Sequence, residues 1–232
     1  VGVLGAIAQA ELKRILSFTL VSHVGYMVFG LAIATPVAIG ATIYYMVHHI
    51  VVQTTLFLAV GLIERRAGST SILRVKGLMR AAPVIAVLYF LPAINLGGLP
   101  PFSGFIGKFA LFQAGAEEGS PIIMVLIVGG IVTSLLTLYA LMRAWNLSFW
   151  REEEDQVEPE TEASISYLGG AAAAQTETER RVIPKIMTGA TAGMVGVTLA
   201  LTVFAGPLYG VCERIGAALL DPVILVQPEV EE

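Results

Sequence analysis

The chain has 232 residues and a mean hydropathy of +0.77; 56% are hydrophobic and 14% charged, against roughly a quarter charged in a soluble domain. That balance excludes an ordinary water-soluble globule, a nucleic-acid binder and a disordered tail. The single cysteine, Cys212, excludes a disulfide framework and any cysteine-based zinc or iron–sulfur site. The formal charge of −4 is local in origin: residues 151–181 hold nine acids and three bases, a net of −6, so the rest sums to +2. The composition is that of a membrane protein with one acidic polar insert.

A spanning helix needs about 20 mainly apolar residues to cross about 30 Å of hydrocarbon. Residues 1–10 are apolar and follow no signal-like n-region or cleavage site, so they read as the tail of a helix in a longer chain. Residues 15–34 make a clean span stopped by Thr35-Pro36, and 37–63 make another, running to Glu64-Arg65-Arg66. Residues 82–95 are apolar but short. They are followed by the breaker run Gly97-Gly98-Leu99-Pro100-Pro101, with Gly104 just beyond, before apolar character resumes over 102–116. The two pieces read as one interrupted crossing. Residues 121–141 and 186–204 are the last spans, while 207–226, short and proline-bounded, reads as a surface helix.

The expected fold is therefore all-α, a polytopic transmembrane bundle containing a discontinuous helix. Its regions are a helical part over 1–145, an acidic loop over 146–185, a last span over 186–206, and a C-terminal helix and tail over 207–232.

Short cytoplasmic loops accumulate lysine and arginine. The basic residues fall in three clusters: Lys13-Arg14; Arg65, Arg66, Arg74, Lys76 and Arg80; and Arg143, Arg151, Arg180, Arg181 and Lys185. The intervening turns at Thr35-Pro36 and Glu117-Glu118-Gly119 carry none. This alternation requires 82–116 to cross once, and predicts cytoplasmic basic loops with the C-terminus outside. The acidic stretch 151–181 lacks the large apolar residues of a core and reads as a solvated cytoplasmic loop.

An ionisable side chain in hydrocarbon is costly and marks a candidate functional site. Lys108 is foremost: it follows the helix break by about two turns, and broken helices are where transporters commonly build ion sites. A lysine there can load and release a proton as neighbouring charges change. Residues Thr42, Tyr45, His49 and Gln53 share one face of the span 37–63, with Tyr44, His48 and Thr55 on an adjoining stripe. Histidine passes protons through its two ring nitrogens, so His49 and His48 are candidate relays. Residues Thr19, Ser22, His23 and Tyr26 form a similar stripe on the preceding span. In the last span Thr188, Thr191, Thr198 and Thr202, with Gly189 and Gly193, read as helix packing. Lys13, Arg14 and Glu64 read as boundary anchors. No phosphate loop, nucleophile elbow, metal-spaced cluster or quinone signature is present, so no cofactor and no metal site are expected.

Three stretches carry a family resemblance. Residues 8–18 (AQAELKRILSF) with 21–27 (VSHVGYM) resemble the "AQxDxKRxLAYSSxSxxGYM" segment of the antiporter-like subunits shared by respiratory complex I and the Mrp multisubunit cation/proton antiporters. Residues 49–58 (HIVVQTTLFL) resemble that family's "HxxxKxxLFL", and 98–109 (GLPPFSGFIGKF) resemble its "GxPPxSGFxGK". The resemblance implies a fourteen-helix subunit with two inverted five-helix repeats, of which this chain covers the end of helix nine through helix fourteen. Lys108 would be the terminal lysine of a central hydrophilic axis, with His49 part of the link towards it.

Two departures stand out. Gln53 replaces a lysine common in relatives, and the family's upstream glutamate and lysines lie outside these residues. Lysine at the broken helix, with the run Gly61-Leu62-Ile63-Glu64-Arg65-Arg66-Ala67-Gly68-Ser69, is most similar to the D-type subunits of the Mrp antiporters. The implied function is proton translocation within a sodium(cation)/proton antiporter in a prokaryotic plasma membrane. The implied partners are other Mrp-complex membrane subunits, H⁺ and Na⁺ or another monovalent cation, and the lipid bilayer. A complex I pumping subunit and a non-conducting scaffold are the alternatives.

Overall fold

In the computed structural model the described residues are 1–151 and 183–221, and all of their regular structure is helical. Residues 152–182, which hold all but the first residue of the acidic stretch 151–181, and the tail beyond Asp221 lie outside the described residues. The helices are α1 (Gly2–Ala8), α2 (Leu12–Ile33), α3 (Pro36–Ala67), α4 (Leu78–Ala81), α5 (Pro83–Gly97), α6 (Ser103–Glu118), α7 (Pro121–Trp145, prolonged by a π-turn at Asn146–Trp150), α8 (Lys185–Val203) and α9 (Ala205–Leu220). Four of them are long and apolar enough to cross a membrane: α2, α3, α7 with its π-turn, and α8.

Local chemistry sets these boundaries. Thr35 Oγ1 accepts the Ala38 N–H at 3.2 Å and Pro36 occupies the first helical position, so α3 starts with a side-chain cap and a preset φ. It ends at Gly68, which takes the left-handed conformation at φ 73°, just after Arg65 and Arg66. Those two cations face the negative end of the helix dipole.

The 32-residue helix α3 is the central post: α2, α5, α6, α8 and α9 all pack against it. Its second half (Val52, Leu56, Ala59, Leu62 and Ile63) joins Leu12, Leu16, Ile85 and Tyr89 in the main apolar core. Because lipid tails are as apolar as leucine, this core is held by shape-matched packing rather than by escape from water.

The basic clusters meet at one end of the bundle. Lys13 pairs with Glu64 at 2.7 Å, Leu12 N donates to Thr70 O at 2.9 Å, and Gly77 N donates to Arg151 O at 2.9 Å. Helices α5 and α6 follow α4 in the chain. Between them, residues 98–102 are non-helical, with Gly98 left-handed at φ 84°.

Of the segment 207–226, expected as a surface helix, the described part belongs to α9, whose buried residues are Ala205, Cys212 and Gly216. Helix α9 continues past α8 along the first turns of α3, with Tyr209 against Tyr44 at a ring separation of 5.8 Å. Small residues make this possible. A Cβ on Gly216 would collide with Pro36 O, and one on Gly40 would sit 2.7 Å from the Glu213 Cα. Pro207 falls in the first turn of α9, where its missing N–H costs nothing. Gly216→Leu is expected to prise α9 from α3 and cost about 1–3 kcal/mol. That would appear as a lowered thermal midpoint of the purified full-length subunit, and an unchanged midpoint would contradict this packing. In α8, Gly189 and Gly193 face open space, so their GxxxG spacing is not a packing seam among the described residues.

Candidate functional site

Lys108 is 3% exposed and projects from α6 back towards the end of α5. A helix leaves its last four carbonyls without helical partners. In α5, Gly98 N returns to Asn95 O and Leu99 N to Ile94 O, which leaves Leu96 O and Gly97 O. The Lys108 Nζ donates to these two oxygens at 3.0 and 3.3 Å. Its third partner is Ser134 Oγ of α7, at 2.9 Å, which itself donates to Gly97 O at 2.9 Å. The Tyr26 ring lies 5.3 Å from Nζ. An ammonium has three donors, and three acceptors meet them.

All of these partners are neutral. The group is held by the negative end of the α5 dipole, a hydroxyl and a ring face rather than by a carboxylate. The break thus has a direct role: a continuous helix would have spent Leu96 O and Gly97 O internally. Gly98 is required twice over, by its positive φ and because a Cβ would lie 3.2 Å from both Cδ and Nζ of Lys108. Gly97 lets α7 approach, since a Cβ there would stand 2.8 Å from Leu138 Cδ1. Pro100 and Pro101 occupy the non-helical connection itself.

From Tyr26 a cluster of rings runs between α2 and α3. Tyr26 lies 5.7 Å from His23 and 5.6 Å from Tyr45, and its hydroxyl donates to Gly130 O at 2.6 Å. Tyr45 Oη and His23 Nδ1 are hydrogen-bonded at 2.6 Å. The His23 ring stacks on His49 at 4.9 Å, and Tyr45 stacks on His48 at 5.7 Å. His48 Nδ1 reaches Ser103 Oγ of α6 at 2.9 Å. All three histidines are buried, and the Nε2 of each lacks a hydrogen-bond partner among the described residues.

Of the residues singled out in the sequence, Lys108, His23, Tyr45, His48 and His49 therefore gather between α2, α3 and α6. Gln53 does not join them. Its Nε2 donates to Leu16 O of α2 at 2.7 Å, and its Oε1 has no partner among the described residues. Lys13 and Glu64 pair at the basic end, roughly half exposed, about 22 Å along α3 from His49 at 1.5 Å per residue. Arg14 pairs with Glu11 at 3.5 Å in the same region. Thr42 and Thr55 bond carbonyls of their own helix, so they take no part in the cluster.

Sequence reasoning missed Asn95, Ser134 and the link from Thr202. Asn95 Oδ1 accepts the Gly104 N–H at 2.9 Å and the Ser103 hydroxyl at 3.3 Å, while Thr202 Oγ1 of α8 accepts the Ser103 N–H at 3.1 Å. The available signal was position: Asn95 lies in the last turn before a breaker run, where a buried amide can cap the next helix.

The described residues thus form an apolar helical bundle of the membrane-spanning class, with a buried lysine at the end of one helix beside histidine nitrogens that lack partners among the described residues. The chain belongs to the NADH:quinone oxidoreductase/Mrp antiporter transmembrane family, whose model matches residues 1–137. It is 35% identical over 231 residues to the D-type Na⁺/H⁺ antiporter subunit of Alkalihalophilus pseudofirmus, covering 100% of this chain and 42% of that protein. Among solved structures it resembles the Mrp complex from Dietzia sp. DQ12-45-1b, with TM-score 0.77 and 29% identity over 97% of this chain and 46% of that one. It also resembles respiratory complex I from Thermus thermophilus with bound NADH, with TM-score 0.70 and 25% identity over 94% of this chain and 42% of that one. The chain thus spans less than half the length of the relatives it matches.

Proposed function

We propose that this chain is part of a proton-translocating subunit of a Mrp-type sodium(cation)/proton antiporter, with Lys108 as the proton-loading group and the histidine–tyrosine cluster as its relay. The observation that carries this reading is the neutral cradle of Lys108. Two carbonyls and a hydroxyl accept from the ammonium, and the same oxygens remain hydrogen-bonding partners when the amine is neutral. Protonation can therefore change without leaving a buried carboxylate unpaired, which would cost several kcal/mol (about 3–5 when one partner of a buried pair is removed). The similarity to a relative named as a Na⁺/H⁺ antiporter component supports the choice of ions.

In this reading α5 and α6 form a single interrupted crossing, the basic end faces the cytoplasm and residue 221 lies outside, in a prokaryotic plasma membrane. His49 relays towards Lys108 from the α2 side through His23, and Gln53, bonded to Leu16 O of α2, takes no proton. Everted vesicles carrying the assembled complex test it. Added sodium is expected to drive proton movement, and the purified complex should contain small Mrp-type membrane subunits. Sodium-insensitive vesicles, co-purifying with iron–sulfur and flavin subunits, would contradict it in favour of a redox-driven pump.

The boundary pair Lys13–Glu64 acts as an anchor. Half-exposed ion pairs contribute about 0–1 kcal/mol, so Glu64→Gln is expected to leave the thermal midpoint and the exchange rate nearly unchanged. Loss of exchange in that variant would place Glu64 in the conducting path instead.

A further inference from the structure

Helix α6 begins without a cap of its own: its N-cap residue, Phe102, offers no side-chain acceptor. The first N–H groups of a helix must nevertheless find partners when buried. Here they come from two other helices. Thr202 of α8 takes the Ser103 N–H and Asn95 of α5 takes the Gly104 N–H, at 3.1 and 2.9 Å. Thr202 in turn donates to Thr198 O at 3.3 Å.

These bonds settle which way the polar groups point. The Asn95 atom facing Gly104 N must be the oxygen, because an amide nitrogen has no acceptor to offer. With Oδ1 fixed there, the Ser103 hydroxyl donates its one hydrogen to it at 3.3 Å. The Ser103 oxygen is then an acceptor for His48 Nδ1 at 2.9 Å, which must carry the hydrogen. The reverse arrangement would put a hydrogen on His48 Nε2, a buried atom with no acceptor among the described residues. An orphaned buried N–H is rarer than an unused lone pair.

We propose that Asn95 and Ser103 are positioning residues that hold His48 in its Nδ1–H tautomer, leaving the Nε2 lone pair bare as a proton acceptor beside the helix break. Gly104 keeps that edge uncovered, since a Cβ on it would lie 3.0 Å from His48 Nε2. The chain Gly104 N–H, Asn95, Ser103, His48 thus converts the geometry of a helix start into the tautomer of a ring. Residue Thr202 ties the arrangement to α8. The assignment rests on reading the cluster as a proton path, and it adds a branch that reaches α6 at Ser103, five residues before Lys108.

Nitrogen-15 NMR of histidine-labelled full-length subunit in its assembled complex tests it, with the His48 signals assigned by their loss in His48→Gln. In the native protein His48 Nδ1 is expected to resonate as a protonated nitrogen and Nε2 as a bare one. Ser103→Ala removes the oxygen that receives the Nδ1 hydrogen but keeps both backbone caps of α6; with neither ring nitrogen then facing an acceptor among the described residues, the Nδ1–H preference is expected to be lost and the two resonances to move towards each other. A native spectrum with the hydrogen on Nε2, or an unchanged His48 pattern in Ser103→Ala, would overturn the assignment. The native spectrum decides the question even if the variant fails to assemble. Because the readout is the ring and not transport, its failure is distinct from a failure of the transport reading, which would appear as sodium-insensitive vesicles.

Discussion

Lys108→Ala is expected to abolish sodium-driven proton movement while the complex still assembles. The two halves of this expectation have different physical sources. Truncation removes three hydrogen bonds to neutral acceptors, but Ser134 Oγ continues to donate to Gly97 O, so only Leu96 O loses its single partner. A buried acceptor left unmade costs about 1–3 kcal/mol, which a large membrane complex tolerates. The amine proposed to load the proton, in contrast, disappears entirely, and the loss of a group that transfers a proton typically reduces a rate by about 100-fold or more.

Lys108→Arg separates charge from proton exchange. The guanidinium keeps its proton at any physiological pH, so this variant is expected to be as inactive as alanine. If Lys108→Arg exchanged sodium for protons at the native rate, the fixed charge alone would suffice and the proton-loading role would fail. Native exchange in Lys108→Ala with normal assembly would favour a non-conducting scaffold.

The second large effect is expected at Gly104. A Cβ added there would collide with the main-chain oxygen of Asn95 and lie 3.0 Å from His48 Nε2. Neither neighbour is a flexible side-chain tip. Backbone cannot step aside without moving α5 from α6, and that separation draws Leu96 O and Gly97 O away from Lys108. The cost is expected at the upper end of the overpacking range, about 3 kcal/mol, together with loss of exchange. Gly196→Ala in α8 is the control, because a Cβ there meets nothing within 4 Å. The same helix-favouring change should leave the midpoint and exchange near native. If Gly104→Ala behaved like Gly196→Ala, the close junction of α5 and α6 would be contradicted.

How far these features were legible in the sequence follows from the physics of each. The long spans were readable because bilayer thickness imposes about 20 apolar residues on a crossing helix. Boundaries shifted where polar residues begin a helix: α2 already includes Lys13 and Arg14 in its first turn. Lys108 was readable as a lone charge beyond a breaker run, and the His23, Tyr45 and His49 stripes were readable from helical spacing. The partners of Lys108 were not, since two are backbone oxygens and the third, Ser134, lies in an apolar span where a serine reads as packing.

Asn95 was hidden for a related reason. Its importance comes from the start of a different helix, which is a relation between elements and not a pattern within one. The contact of α9 with α3 was not legible, because it depends on Gly40 and Gly216, which lie 176 residues apart in the chain. Gln53 shows the opposite failure. It shares a face with His49 by spacing, yet it is engaged with Leu16 O.

The central claim is that the amine of Lys108 lies inside the bundle on the frayed end of α5. An experimentally determined structure of the assembled complex in lipid tests it most directly. The expected result places Nζ within hydrogen-bond distance of Leu96 O and Ser134 Oγ, at the depth of His48 and shielded from lipid. A Lys108 side chain extended to the headgroup layer, on a helix continuous through residues 95–105, would contradict it.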